Sequence, residues 1–245
     1  MAISSLATIL TLCAVHVAAG TAAVQRRRWT PRALSFASGV SVSYVFLDLL
    51  PDLSQRQATI DALGFLTLLD RHVYVLALVG LVIAFWVETA SRESRRQRRR
   101  SGGPDRTGPS VYRLSIASFV IQNGAIGYAV ASPGDQAVEP MWLFAVALGL
   151  HFLVNDHALV EHHGDRYRSR GRWWLVGALL AGWAFGSAAS VSLPGVVLAL
   201  ALSYIAGGTI LSILRHELPD TDRSADVGAL VLGTVGYTAL LLLLP

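Results

Sequence analysis

Long apolar blocks separated by short polar gaps make up most of the chain. Eight blocks approach the roughly 20 residues that a membrane-spanning helix needs; they cover residues 3–23, 33–52, 72–90, 113–132, 141–161, 173–191, 194–214 and 225–244. In lipid, only helices and closed barrels satisfy every backbone polar group, and apolar blocks of this length are helical. The pattern predicts an all-α, polytopic integral membrane protein with eight transmembrane helices in a single membrane domain, residues 1–245.

The arginines alternate between the two sides of this arrangement. All 20 basic residues are arginine, and 18 of them lie in the gaps after the first, third, fifth and seventh blocks or on their flanks. The opposite side has only Arg56 and Arg71. Because positive residues favour the cytoplasmic side, we expect a cell-membrane protein with both termini outside the cytoplasm. The first basic cluster follows its apolar block, the reverse of a secretory signal, so the first block is expected to be a retained span.

Composition supports the membrane interpretation and excludes several others. Hydrophobic residues make up 53% of the chain, charged residues 15%, and the mean hydropathy is +0.50. A net charge of +4 could suggest a nucleic-acid partner, but the arginines lie in gaps between spans, so no nucleic acid is expected. Cys13 is the sole cysteine, which excludes an intrachain disulfide and a CxxC metal site. The Arg-, Gly- and Pro-rich stretch at about 91–110 predicts a flexible cytoplasmic loop.

Polar residues inside the fourth and fifth blocks are candidate ligands, because ionisable and strongly polar groups are costly at membrane depth. Asn123 lies in the middle of the fourth block. In the fifth block, His151 and Asn155 are one helical turn apart and share a stripe, while Asp156 lies on another face. Each of these groups could bind a cation or a neighbouring helix, and the residues alone leave both alternatives open.

Further polar residues lie near the ends of the blocks, where a cation could enter or leave. Asp48 and Asp52 share a helix face near the outer end of the second block. The candidates at the inner side are Glu88, His157, Glu161, His162 and His163. A solvated helix end is the competing interpretation at each position, and the four inner residues of the fifth block surround the helix instead of forming one site.

With these blocks in view, the chain resembles the ZIP (Zrt-, Irt-like) family of divalent-metal transporters. The second block carries "FLDLLPD", residues 46–52, where the family commonly has an "FLHLLPE"-like string. The third block closes with Glu88, and the seventh is followed by "HELPD", which is similar to a second family string. The near-match of the strings after blocks two and seven, in opposite orientations, also suggests an inverted repeat. The resemblance implies a ZIP-like bundle of eight spans that transports zinc, iron or manganese toward the cytoplasm.

The resemblance also implies a ligand set, from which this chain departs. Its fifth block reads "HFLVND" where the family has an "HExPHE"-like segment, so His151 is kept and Phe152 replaces the first acid. The implied metal ligands that remain polar are His151, Asn155 and Asp156 with Asn123, which stands at the position of the bridging acid. One carboxylate, one imidazole and two amides form a weak site for a dication.

Two alternatives follow from these departures. The chain could be a non-transporting ZIP-fold membrane protein, acting as a sensor or a partner subunit. A membrane metalloenzyme with histidine boxes is disfavoured, because the histidines outside the fifth block are few and scattered, so the chain is not expected to be an enzyme. The expected partners are the lipid bilayer and a divalent metal ion, no resident cofactor is assigned, and a homodimer is left open.

Overall fold

A computed structural model of the protein describes residues 2–19, 21, 31–61, 72–131, 141–188, 195–212 and 226–243. All regular secondary structure in these ranges is helical, which confirms the all-α prediction. The helices are α1 (Ala2–Ala19), α2 (Pro31–Tyr44), a first π-helix (Val45–Leu49), α3 (Leu50–Asp61), α4 (His72–Arg100), α5 (Pro109–Ala131), α6 (Met141–His163), a second π-helix (Tyr167–Gly171), α7 (Arg172–Ser187), α8 (Gly195–Ser212) and α9 (Val227–Leu243). Within the described residues, each predicted apolar block overlaps one of these helices or a continuous run of them.

Four of the described helical segments are long and apolar enough to cross a membrane. They are Ser35–Gln55, which runs from α2 through α3, and the helices α4, α5 and α6. Three other apolar helices are shorter, Ser4–Ala19, Ala199–Ser212 and Val227–Leu243, and each borders residues outside the described ranges. The described helices therefore have the character of a polytopic membrane protein, but four of them, not eight, reach spanning length.

Helix α4 continues through Arg100, into the arginine-rich stretch at about 91–110 that the sequence predicted as a flexible loop. Gly102 then adopts φ +72°, a conformation that favours glycine, and the N–H of Gly103 donates to the carbonyl of Arg98 at 2.8 Å. The N–H of Thr107 donates to the carbonyl of His162 at 2.9 Å, which ties the connection to the end of α6.

The chain divides into two compact units. The first unit comprises Met1–Thr30 and Trp86–Ala189, and the second comprises Pro31–Phe85 and Ser190–Pro245. The boundaries follow helix pairing. Helices α1, α5, α6 and α7 pack together in the first unit, and α2 packs against α9 in the second.

Glycines bring α5 and α7 into backbone contact in the first unit. A Cβ at Gly127 would overlap the carbonyl oxygen of Leu179, and a Cβ at Gly182 would overlap that of Gly124. Small residues allow this close approach in membranes, where dispersion contacts and not water exclusion hold helices together. The contact fixes α5, which carries Asn123, against α7.

The second unit uses the same device in two helix pairs. Between α2 and α9, a Cβ at Gly39 would overlap the carbonyl oxygen of Leu230, and one at Gly233 would overlap that of Phe36. Between α4 and α8, Gly80 and Gly207 take the equivalent roles against the carbonyls of Tyr204 and Ala77. In each pair, both helices contribute a glycine.

Candidate ion site around His16

The four predicted ligands are buried in the first unit. Asn123 on α5 is 2% exposed, Asp156 on α6 is 0% exposed, and His151 and Asn155 on α6 are also buried. Asn123 and Asp156 are brought to one place, because both hydrogen-bond the same third side chain. That side chain is His16 of α1, which was not among the ligands predicted from the sequence.

His16 lies between Asp156 and Asn123 and contacts one with each ring nitrogen. Its Nδ1 is 3.0 Å from Oδ1 and 2.9 Å from Oδ2 of Asp156. Its Nε2 is 2.8 Å from Oδ1 of Asn123. The imidazole is 1% exposed. Three helices, α1, α5 and α6, therefore meet at this ring.

The hydrogen-bond pattern assigns one proton on the ring. The amide nitrogen of Asn123 donates to the carbonyl of Phe119 at 2.9 Å, so its Oδ1 faces His16 as an acceptor. Nε2–H of His16 therefore donates to Asn123. Nδ1 of the same ring faces both carboxylate oxygens of Asp156.

Two aromatic residues complete the surroundings of the pair. The hydroxyl of Tyr167, which is buried, donates to Oδ1 of Asp156. Phe152 stacks on the His16 ring, with centroids 4.4 Å apart and an interplanar angle of 25°. Phe152 stands at the position where the ZIP resemblance places the first acid, so an apolar ring occupies that position and covers one face of the imidazole.

The second π-helix positions Tyr167. The N–H of Arg172 donates to the carbonyl of Tyr167, which widens this turn. Gly171 faces the Tyr167 ring, and a Cβ there would lie too close to its Cδ2. Arg172 also reaches α1, where its Nη1 donates to the carbonyl of Val17 at 3.3 Å, next to His16. One short segment therefore contacts both sides of the His16–Asp156 pair.

This geometry does not form a metal-ligand cage. Among the described residues, no group of three or more His, Cys, Asp or Glu side chains could hold a metal ion. Metal ligands lie about 2.0–2.2 Å from a bound Zn²⁺, so they must converge on one point. Asn123 and Asp156 face opposite edges of the His16 ring, and one ion cannot bind both while the ring lies between them.

The inner candidates take part in a surface ion network instead of one cluster. Glu88 accepts from Nε of Arg92 at 2.6 Å, and its Oε2 is 3.2 Å from Nε2 of His162. Nη1 of Arg95 donates to Glu161 at 3.1 Å and to Nδ1 of His162 at 3.3 Å.

Arg95 also binds the connection that follows α4, through Asp105 at 3.0 and 3.2 Å. The hydrogen bond from Arg95 is the largest cause that lowers the pKa of Asp105 below its usual value. This network fixes the end of α4 to the end of α6.

The other two histidines of this group have separate environments. His157 is exposed. His163 is buried and hydrogen-bonded to two hydroxyl groups, that of Thr107 at 2.6 Å through Nδ1 and that of Ser115 at 3.0 Å through Nε2. The three residues of the "EHH" string, 161–163, therefore take part in buried packing and in surface contacts, and the contacts differ from one residue to the next.

The outer candidates lie in the second unit. Asp48 is in the first π-helix and accepts a hydrogen bond from the hydroxyl of Tyr237 at 2.6 Å. Asp52 follows in α3 and is half-buried. Both carboxylates are on the Ser35–Gln55 segment, as the sequence predicted.

His16 could have been found from the sequence by one signal. Apart from Cys13, it is the sole ionisable side chain in the first apolar block, and an intramembrane ionisable residue is a candidate functional group by default. No model of a known protein family matches the chain, and a search of curated proteins finds no similar sequence.

Proposed function

We propose that the protein is a ZIP-like membrane permease for a divalent metal cation of the zinc, iron or manganese class. The observation that carries this proposal is the position of Asn123 and Asp156, two residues selected from the ZIP resemblance, on the two sides of one buried imidazole in a helical membrane protein. A carboxylate with no exposed area is costly in such a place and marks an ion pathway in many membrane proteins. His151 and Asn155, buried on the same helix, would complete the ligand set.

The pairing of helices supports a transporter architecture. If the eight blocks are numbered as spans, the described pairs include 2 with 8 and 3 with 7 in the second unit, and 1 with 5 and 4 with 6 in the first, where span 1 also packs against spans 4 and 6. An inverted repeat would relate spans 1, 2 and 3 to spans 6, 7 and 8, and span 4 to span 5. Under this exchange, the pair 2–8 becomes the pair 7–3, and the pair 4–6 becomes the pair 5–1. Pairing of this kind is expected of an inverted repeat, the common basis of alternating access.

In this proposal, three side chains bind the cation. Asp156 supplies the anionic oxygen that offsets dehydration of the cation, and Asn123 supplies a carbonyl oxygen. His151 supplies an imidazole nitrogen. Asp48 and Asp52 attract cations at the outer side, while Glu88, Glu161 and His162 receive them at the inner side. Rocking of helix bundles would give alternating access.

The test is metal uptake into liposomes that contain the purified protein. We expect Zn²⁺ or Mn²⁺ flux in the wild type, and flux at the level of empty vesicles in Asp156→Ala. His157→Ala is the matched control, because this exposed histidine lies one residue further along α6. Wild-type protein that gives no flux above empty vesicles for zinc, iron or manganese contradicts the proposal.

The proposed topology has eight spans, a cell-membrane location and both termini outside the cytoplasm. It rests on the alternation of the arginines. Single cysteines introduced after Cys13→Ser, at Ser4 and at Ser101, would be labelled from opposite sides by an impermeant thiol reagent. Labelling of both from the same side contradicts the topology. Crosslinking in the same preparation would report whether a homodimer forms.

A second candidate is a ZIP-fold protein that does not transport, such as a sensor or partner subunit. The position of His16 favours it, because the imidazole separates Asn123 from Asp156 and occupies both. The absence of a carboxylate at position 123 also favours a protein that does not transport metal. Saturable metal flux through the wild-type protein would rule this candidate out.

A further inference from the structure

We propose that His16 competes with the transported metal for the ion site, and so determines how tightly the site binds cations. This inference rests on the proposed function and assigns a role to a residue that the ZIP resemblance does not include. In the structure, the site is filled by a side chain of the protein itself. A cation binds when the ring leaves the space between Asp156 and Asn123.

The His16 ring lies between the two candidate ligands, Asp156 and Asn123. The two ring nitrogens point in opposite directions, one to Asp156 at 2.9 Å and the other to Asn123 at 2.8 Å. If His16 were a ligand, one nitrogen would face an ion and the other would be free or bound to a supporting acceptor. Here both nitrogens bind the candidate ligands directly. The ring is therefore in the position that an ion shared by Asp156 and Asn123 would take.

Nδ1 of His16 engages both oxygens of Asp156, which is the one carboxylate among the four predicted ligands. A dication in a buried site needs anionic or imidazole ligands to offset the loss of its water. With Asp156 and Asn123 both engaged by the ring, the remaining groups give little compensation. Removal of the ring would restore one anionic oxygen and one carbonyl oxygen to the site.

The His16 ring is held by several contacts, so its release requires a strong competitor. Phe152 stacks on one face of His16, and Arg172 holds the carbonyl of the next residue, Val17. The Tyr167 hydroxyl holds Asp156 from the other side. Cations that bind carboxylates and amides weakly would not displace such a ring. The contact therefore lowers the affinity of the site for every cation, and only cations of high intrinsic affinity remain bound.

The experiment compares metal binding by wild type, His16→Ala and His163→Ala. His163 is the matched control, because it is a buried histidine of the same unit that binds hydroxyl groups and no carboxylate partner is seen at its ring nitrogens. The measurements are Zn²⁺ and Mn²⁺ titrations followed by thermal unfolding, and the metal content of the purified protein. We expect Zn²⁺ to bind His16→Ala at least about tenfold more tightly than the wild type, the effect of losing one competing charge-assisted hydrogen bond.

Two further variants make the result decisive. In His16→Ala/Asp156→Asn, the gain should disappear, because the freed carboxylate is gone. His16→Gln keeps a donor for Asp156 in a neutral side chain and tests the idea if His16→Ala does not fold; it should also bind Zn²⁺ more tightly than the wild type.

The outcomes separate the two proposals. Weaker Zn²⁺ binding in His16→Ala or His16→Gln than in the wild type would make His16 a ligand; this overturns the competition and leaves metal transport standing. Equal binding in the variants and the wild type overturns the competition as well. Absence of metal binding in every variant, with no liposome flux in the wild type, overturns both.

Discussion

His16 and Asp156 are 140 residues apart in the chain, and their side chains meet at 2.9 Å with almost no exposed area. Their contact joins α1 to α6 at the point where Asn123 of α5 also binds. The stability of the first unit and the chemistry of the candidate site therefore depend on the same pair.

Removing one member of this pair should be more harmful than removing both. Asp156→Leu should lower the free energy of unfolding by about 3–5 kcal/mol, because it leaves His16 buried without its partner. His16→Leu/Asp156→Leu should recover most of this loss, since apolar residues of similar volume often replace a buried ion pair at little cost. Unfolding in mixed micelles, monitored by circular dichroism, gives the values. Additive effects of the two single substitutions would contradict a direct interaction.

The close contact of α5 with α7 should be intolerant of a single methyl group. Gly182→Ala places a Cβ against the backbone of Gly124, so the helices must separate, and we expect a loss of roughly 1–3 kcal/mol. Gly177→Ala in the same helix is the control, because its Cβ would have no atom within 4 Å. That substitution should be neutral or stabilise by up to about 1 kcal/mol through helix propensity. The thermal midpoints of the two variants, measured in one detergent, make the comparison; equal midpoints would argue against backbone contact.

Arg95 should contribute to stability in a pH-dependent way. Arg95→Ala removes hydrogen bonds to Asp105, Glu161 and His162, and with partly exposed partners we expect a loss of about 1 kcal/mol at neutral pH. Because Arg95 lowers the pKa of Asp105 in the folded state, this contribution is present above the unfolded carboxyl pKa and is lost as pH falls through the lowered folded value.

The control for this prediction is Arg96→Ala, since Arg96 is the adjacent exposed arginine of α4. It should change stability little at any pH. Chemical unfolding of wild type and both variants, repeated between neutral and strongly acidic pH, is the measurement. A difference between wild type and Arg95→Ala that grows on acidification would refute the assigned role of Asp105.

The end of α4 should be protected from hydrogen exchange. Its amides between residues 92 and 100 donate within a helix, so we expect exchange slowed well beyond that of an unstructured peptide. Hydrogen–deuterium exchange with mass spectrometry resolves this segment, because its arginines give short peptides. Complete exchange at the earliest time point would instead support the flexible loop that the composition predicted.

The sequence predicted the helices well because the signal is local. Each apolar block is continuous and therefore indicates its own helix, and Asn123 and Asp156 were selected because polar groups are costly at that depth. Overall composition predicted a flexible loop at about 91–110, whereas the structure has helix as far as Arg100. Arginine, glutamate and glutamine are good helix formers, and pairs four residues apart, such as Glu88 with Arg92, extend the helix beyond its apolar part.

The sequence could not predict which polar groups would meet. His16 lies 107 residues from Asn123 and 140 from Asp156, so no local spacing relates it to either. The position of Tyr167 depends on a π-helical turn, which hydrophobic periodicity does not reveal. Likewise, His151 and Asn155 share one face of α6, but His16 of α1 contacts Asp156, which lies on a different face.

The sequence separation of His16 and Asp156 has a consequence for biosynthesis. A ribosome adds about 5–20 residues per second, so α1 is complete roughly 7–30 s before the segment that carries Asp156. For most of this interval, neither Asn123 nor Asp156 has been made, and His16 must be tolerated by lipid, water or the insertion machinery. The first helix therefore enters the membrane with an unfulfilled polar group, and its final position is set only when the fifth apolar block arrives.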